Sequence, residues 1–456
     1  MAGIGFRLRG MAARKTFGEW LKSYTYSVVI YSGPWLISIA ALAALSIFTL
    51  PSMQQQDVRL FTVIIVYAYC FSLVTTGILQ LVVTRYVSDQ LYQFNPDAVV
   101  PAFVGSIALT GLVQTVSGAV FLFFADLELP FKVAALGIYV TVSLVWVEMV
   151  FLSAAKDYAH VVLAFALGYL TSFLAAQFLG AIYQLNGLVF GFLIGQVLLS
   201  ALLVQRIFAD YRFGQGFNFN FLGHFRTYPT LALIGFTYNL AIWIDKVIMW
   251  YSPSGTRIHS VFYTHFPYDS AMFLAYMSII PTLAVFLLRI ETDFFVRYKN
   301  YYGSIKARAP LDVIEARRRE MTDVLGSALY TVLIYQGTVT AIALLAMPYI
   351  VSIIGVDPVY APVFRVGVVG AFFHAGVLII MILLLYFDFR GAGLVLTTVF
   401  LLTNSVFTAL TTGMPQWTMG YGYTCSTMLT LGLGVLLLSN RLKRLEYLTF
   451  MRQPIR

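Results

Sequence analysis

Charged side chains are scarce: Asp, Glu, Lys and Arg make up 11% of the 456 residues, against roughly a quarter in an ordinary soluble domain. That is too few to cover a water-soluble globule of this length. Disordered chains combine high charge with few aromatics, so disorder is excluded as well. Only two cysteines occur, Cys70 and Cys425. A disulfide scaffold is therefore ruled out, and both thiols, lying in apolar runs, read as packing residues. None of the five histidines sits with cysteines or carboxylates at ligand spacing, which argues against a metal centre. The phosphate-cradling G-x-x-x-x-G-K-[ST] is missing, as are H-E-x-x-H and G-x-S-x-G. Neither nucleotide hydrolysis nor these hydrolase chemistries is encoded, and no cofactor is expected.

Apolar residues are what the chain has instead. They reach 60%, with aromatics at 16% and Phe and Tyr numbering 38 and 29. A helix needs about 20 mostly apolar residues to cross a hydrocarbon core of about 30 Å. Twelve runs qualify: 26–49, 60–83, 99–124, 131–153, 160–182, 187–208, 228–251, 268–289, 324–347, 361–386, 393–412 and 421–439. The alternating segments of ~10 residues that mark a membrane barrel are absent. The fold class is an all-α polytopic membrane protein of about 12 transmembrane helices in two six-helix bundles.

The net charge of +9 then acquires a simple reading. Most basic residues fall on one side of the predicted spans, which the positive-inside bias makes cytoplasmic, with both termini there. Nucleic-acid binding is not needed to explain them. The first 25 residues lack a signal-peptide layout. With Phe6, Phe17, Trp20 and Leu21 among basic residues, they read as an amphipathic interfacial segment or a solvated basic flank. A connector at 209–227 separates a bundle at 26–208 from one at 228–439, and a basic tail follows at 440–456. Each bundle opens on a span with an early proline, Pro34 and Pro229. Six spans per half implies parallel repeats about an axis along the membrane normal, an arrangement transporters use. Gly187, Gly191 and Gly195 leave one helix face bare for close packing. The cytoplasmic loop 290–323 is of mixed charge, and its Glu315 and Arg319 have helix-supporting spacing.

Ionisable groups within spans are costly unless paired or wet, so they mark candidate function. Glu148 stands without a charged neighbour, so it faces water, pairs across helices or carries a proton. That makes it a candidate for proton coupling or substrate contact. Asp245 and Lys246 are adjacent and should point about 100° apart on a helix, each then needing its own partner. Arg365 and His374 lie in the tenth span, and Asp269 opens the eighth. A lone His374 suits a hydrogen bond better than an embedded transferase, so no enzyme is expected. Gln80, Gln177 and Asn239, with Gln114, Gln196, Gln336 and Asn404, could line a path for hydroxyl-rich ligands. They could equally bond between helices, at about 0.6 kcal/mol each.

Asp245-Lys246 in IDKVIMWYSPSG, followed by PYDSAMFLAY in a chain of two six-span halves, resembles the multidrug/oligosaccharidyl-lipid/polysaccharide (MOP) flippase superfamily. Within it, GEWLKSYTYSVVIYSGPWLIS from Gly18 and YDSAMFLAYMSIIPTLAVFLLRIETDFFVRYKNYY from Tyr268 resemble the inner-membrane transporters of Pel exopolysaccharide systems. That resemblance implies export of a nascent, N-acetylgalactosamine-rich polysaccharide from cytoplasm to periplasm for the biofilm matrix. It also implies a complex with a cytosolic glycosyltransferase and membrane-bound regulatory subunits, one a cyclic di-GMP receptor. The translocation-pathway candidates are then Glu148, Asp245, Lys246, Arg365, Gln80, Gln177 and Asn239. Arg297, Lys299, Arg317, Arg318 and Arg319 are the candidate docking residues for the synthase. So few intramembrane cations favour a neutral glycan over a lipid-linked pyrophosphate. The alternatives are a cation-coupled drug antiporter on the same architecture, or a lipid-linked oligosaccharide flippase.

Overall fold

The computed structural model describes residues 54–155, 158–211, 216–354 and 361–451, with scattered positions between 37 and 48. The N-terminal segment and most of the first expected span therefore lie outside the described residues. Without water in the hydrocarbon, each spanning segment must satisfy its backbone internally, and an apolar run does so by coiling into a helix. Four helices follow in order: α1 (Gln55–Tyr92), α2 (Val99–Phe123), α3 (Leu129–Ala155) and α4 (Tyr158–Asp210). After the short α5 (Phe221–Thr227) come α6 (Pro229–Ala241), α7 (Ile244–Trp250) and an antiparallel hairpin of β1 (Thr256–His259) and β2 (Phe262–Thr264). The remainder is α8 (Phe266–Met277), α9 (Ile280–Arg289), α10 (Phe295–Lys306), α11 (Leu311–Ile354), α12 (Ala361–Tyr386), α13 (Arg390–Thr411), α14 (Tyr421–Lys443) and α15 (Leu445–Met451).

Nine helical stretches among the described residues are long and apolar enough to cross a bilayer, or ten with the pair α6–α7, which bends by 44°. The stretch formed by α4 is broken at Gln184, whose φ of 51° and ψ of −130° leave the helical region. It thus supplies both the fifth and sixth spans, parted where Tyr183–Asn186 suggests. Eleven of the twelve expected spans are therefore described.

The glycine stripe explains how α4 folds back on itself. A Cβ at Gly187 would strike the carbonyl of Leu179, one at Gly191 the backbone of Ala175 and Ala176, and one at Gly195 Ser172. The two halves thus pack backbone to backbone, and Ser172 Oγ donates to the carbonyl of Phe192 at 3.1 Å. Loop 290–323 is also largely helical. Beyond α9 a π-helical turn, Ile290–Phe294, leads into α10, while α11 begins at Leu311, well before the span expected from 324.

The described chain groups into two compact units. One holds the residues up to Trp243 together with Met249–His265; the other holds Ile244–Ile248 and everything from Phe266 on. The opening half of the seventh span thus groups with the six spans before it, whereas span counting divides the chain at 209–227. Gly77 of α1 and Gly235 of α6 account for this, since neither has room for a Cβ against the other's backbone. Asn239 Nδ2 then donates to the carbonyl of Leu73 at 3.1 Å. The hairpin is held to the same unit by aromatics. Trp250 stacks on Tyr67 at 4.7 Å, Phe262 packs edge-on against Tyr67, and Tyr67 Oη donates to the carbonyl of Tyr263 at 3.0 Å.

Gly191→Val forces a branched side chain into the crossing of the α4 halves. We expect a loss of about 1–3 kcal/mol, typical of overpacking. Thermal unfolding of purified protein should show a lowered Tm, whereas Gly111→Val, where nothing lies within 4 Å, should leave packing intact. Equal shifts in the two variants would refute the close crossing.

Candidate functional site

In the second unit, the helix restarting after the break at Ile242–Trp243 carries Asp245 and Lys246 in its first turn. Both are buried, Asp245 to 0% exposure and Lys246 to 7%. Adjacent helical positions were expected to keep the two heads apart. Instead Lys246 Nζ reaches back to both carboxylate oxygens of Asp245, at 3.2 and 3.1 Å. The four-carbon stem of lysine is long enough to cancel the 100° offset, and burial keeps bulk water from competing. Tyr268 of α8 donates to the same carboxylate at 2.8 Å. Lys246 Nζ also lies 4.6 Å from the centre of the Tyr276 ring, a cation–π contact worth most where water is excluded.

His374 stands in the same unit, buried, with Nδ1 at 2.8 Å from Tyr423 Oη. Its ring meets Tyr276 and Phe400 edge-on, at 5.4 and 5.2 Å. Gly370 permits this, because a Cβ there would strike the Tyr423 ring. An ion pair and a histidine from the seventh and tenth spans are thus bound into one group by three tyrosines. Sequence reading passed over those tyrosines. Tyr268 and Tyr276 do leave a signal, flanking Ala271 and Ala275 about two turns apart on one helix. Tyr423 leaves none, because only packing of α14 on α12 brings it to His374.

Of the remaining candidates, Glu148, Gln80, Gln177 and Asn239 belong to the first unit and Arg365 to the second. Arg365 is exposed in the first turn of α12, with no ion pair among the described residues. In the first unit Glu148 of α3 is fully buried; Ser200 Oγ donates to its Oε1 at 2.6 Å, and its Oε2 has no hydrogen-bond partner among the described residues. Gln80 Nε2 bonds Thr76 of its own helix at 3.1 Å. Gln177 is half-buried and partnered. Gln114 donates to Thr75 at 2.7 Å and accepts from Tyr139. Gln196 donates to Ser172 at 3.2 Å, and Trp146 Nε1 to Ser72 at 3.0 Å. Most of these amides act as bonds between or within helices.

Among the basic residues of α10 and α11, Arg297 and Arg317 share Glu320 at 3.4 and 3.1 Å. Arg319 pairs with Glu315 at 3.5 Å, as their spacing suggests. Arg318 pairs with Glu446 of α15, and Lys299 is exposed. Tyr301 is buried beside Glu446, and burial with that neighbouring carboxylate pushes its phenol up to about 12.

The sequence pattern of the PelG family of exopolysaccharide exporters (EPS-E) matches residues 1–450. The chain belongs to this family. No curated protein matches the chain significantly. The fold of this chain is similar to those of solved MOP-superfamily transporters. An outward-facing multidrug-resistance MATE transporter of the MOP superfamily aligns with a TM-score of 0.66 at 12% identity, covering 92% of this chain and 96% of that one. A MOP transporter from Pyrococcus furiosus, described as having a binding pocket of reversed polarity, gives 0.64 at 12% over the same shares. An inward-facing MATE transporter gives 0.60 at 13%, over 92% and 95%. At such identities the likeness is one of fold. The PelG-family chain is therefore a multi-pass membrane transporter of the exopolysaccharide-exporter class and not an enzyme.

Removing either member of the buried pair strands a charge in the low-dielectric interior, a loss of about 3–5 kcal/mol. Asp245→Asn and Lys246→Met should each lower Tm strongly, and the double variant should recover most of the loss. Additive losses in that thermal-unfolding cycle would show that the pair is not coupled.

Proposed function

We propose that this chain carries a nascent, neutral, N-acetylgalactosamine-rich polysaccharide of the Pel type from cytoplasm to periplasm across a bacterial inner membrane. The observation that carries the reading is the group around Lys246. Its deeply placed cation is neutralised by Asp245 and surrounded by tyrosines, so it offers no free charge to grip a pyrophosphate. Phenol rings and hydroxyls suit a sugar instead, whose C–H faces stack on aromatics while its hydroxyls exchange hydrogen bonds. Asp245, Lys246 and their tyrosines act as the responsive polar core of the second unit. Gln80, Gln177, Asn239 and Arg365 contribute to the pathway as it opens. Both termini and the α10–α11 hairpin face the cytoplasm, in keeping with the basic residues concentrated there. That hairpin, through exposed Lys299 and Arg319 and the paired Arg297, Arg317 and Arg318, docks a cytosolic glycosyltransferase. Membrane-bound regulatory subunits, including a cyclic di-GMP receptor, complete the assembly that feeds the biofilm matrix.

Glu148 supports a second reading, cation-coupled efflux of small drugs, because a buried carboxyl with one oxygen unpartnered among the described residues can exchange a proton. Proton-driven drug uptake into inverted vesicles, lost in Glu148→Gln, would establish that reading and remove the glycan one.

Co-purification from mild detergent should recover a glycosyltransferase with the wild-type chain. Lys299→Glu with Arg319→Glu should lower that recovery severalfold, more so at low salt because exposed charges are screened by ions. Secreted polymer should fall in parallel while Tm stays unchanged. Recovery of no glycosyltransferase by the wild-type chain would overturn the synthase-coupled assignment.

A further inference from the structure

A cavity of about 490 Å³ lies in the second unit, along α11, α12 and α14. It falls within the ~300–1,000 Å³ typical of ligand pockets. Its walls sort by chemistry along their length. Arg318, Thr322, Ser439 and Lys443 stand together at one end. From there inwards the lining is apolar, with Leu329, Leu333, Phe372, Ile379, Leu431 and Val435 among it, until Gln336 closes the far end. Arg318 and Gln336 are 18 residues apart on α11, so that wall runs about 27 Å at 1.5 Å per residue, while the lining from Leu431 to Lys443 on α14 covers about 18 Å. Leu333 and Val435 are 56% and 53% exposed, so the groove opens along its side towards the surroundings of the helices.

This segregation matches an amphiphile with an anionic head and a long hydrocarbon tail. A glycan would leave its hydroxyls unbonded along the apolar walls, which is costly in a site without water. At the polar end, Lys443 is exposed and has no ion pair among the described residues, Ser439 supplies a hydroxyl, and Arg318 is shared with Glu446. Basic pockets between transmembrane helices bind anionic lipid headgroups by the same electrostatics. We propose that this groove holds one anionic phospholipid, its phosphate at Lys443, Ser439 and Arg318 and one acyl chain lying against α11, α12 and α14. The occupant comes from the surrounding bilayer and is independent of the exported substrate. Glu446 is the one acid paired at the mouth among the described residues, and it competes with the phosphate for Arg318.

The test uses the full chain purified in mild detergent, offered phosphatidylglycerol, phosphatidylethanolamine or a polyprenyl phosphate, with retained lipid counted by native mass spectrometry. The expected result is one phosphatidylglycerol per chain, retained in preference to phosphatidylethanolamine. Lys443→Gln should weaken retention roughly fivefold, the effect of one basic residue near a charged headgroup. Leu333→Trp, which fills the groove from its open side, should abolish retention. Leu345→Trp, on the same helix at 79% exposure and outside the lining, should not change it. Equal retention of the two phospholipids, equal effects of the two tryptophan variants, or preference for the polyprenyl phosphate would each overturn the assignment.

Discussion

Hydrocarbon offers a polar group no water, and that constraint orders the whole molecule. It makes each long segment helical, since only a helix satisfies its backbone within one segment. It also decides what happens to the few polar side chains left inside. Lys246 does not point away from its neighbour as helix geometry alone suggests. It folds back on Asp245, because a lone ammonium in that setting costs more than a curled lysine stem. Tyr268 and Tyr276 then gather round the pair, one by a hydrogen bond and one by its ring face.

The same constraint gives glycine its importance. With lipid outside and protein inside almost equally apolar, helices gain little from burial and must gain from close contact. The stripe Gly187–Gly191–Gly195 lets the halves of α4 lie backbone against backbone, and Gly77 with Gly235 does the same for α1 and α6. The second contact bears on how the chain groups. It keeps α6 with the first unit, while Asp245 and Lys246, only a few residues on, group with the second. The chain returns to the first unit through the aromatic seat of the β-hairpin before α8 begins. The residues nearest the ion pair are therefore linked by short stretches of chain to segments of both units.

Loop 290–323 bears out the helix that its charge spacing suggests. Its mixed charges dress a helical hairpin in which Arg297, Arg317, Arg318 and Arg319 all have acidic partners. Glu315–Arg319 was visible from spacing because it lies within one helix, and Arg317–Glu320, three apart on the same helix, was passed over. Arg318–Glu446 joins residues 128 positions apart in sequence, and no local pattern announces it. The basic surface is thus less naked than composition implies.

Apolar runs, proline and glycine placement and two long segment resemblances were enough to read the membrane class, the helical spans, the break near Gln184 and the exporter family. Those features are local, and the bilayer admits few alternatives to them. Asp245, Lys246 and Glu148 were also legible, because an ionisable residue in an apolar run stands out alone. Their partners were not. Tyr423, Ser200 and Leu73 are ordinary residues in ordinary helices, and they reach His374, Glu148 and Asn239 only through the packing of segments distant in sequence. The amphiphile-shaped groove is likewise made by three helices together. What the sequence by itself determined was where charge and helix could exist in the membrane. Tertiary structure alone decided which charges are neutralised, since partners and cavities belong to the crossing of helices rather than to any one of them.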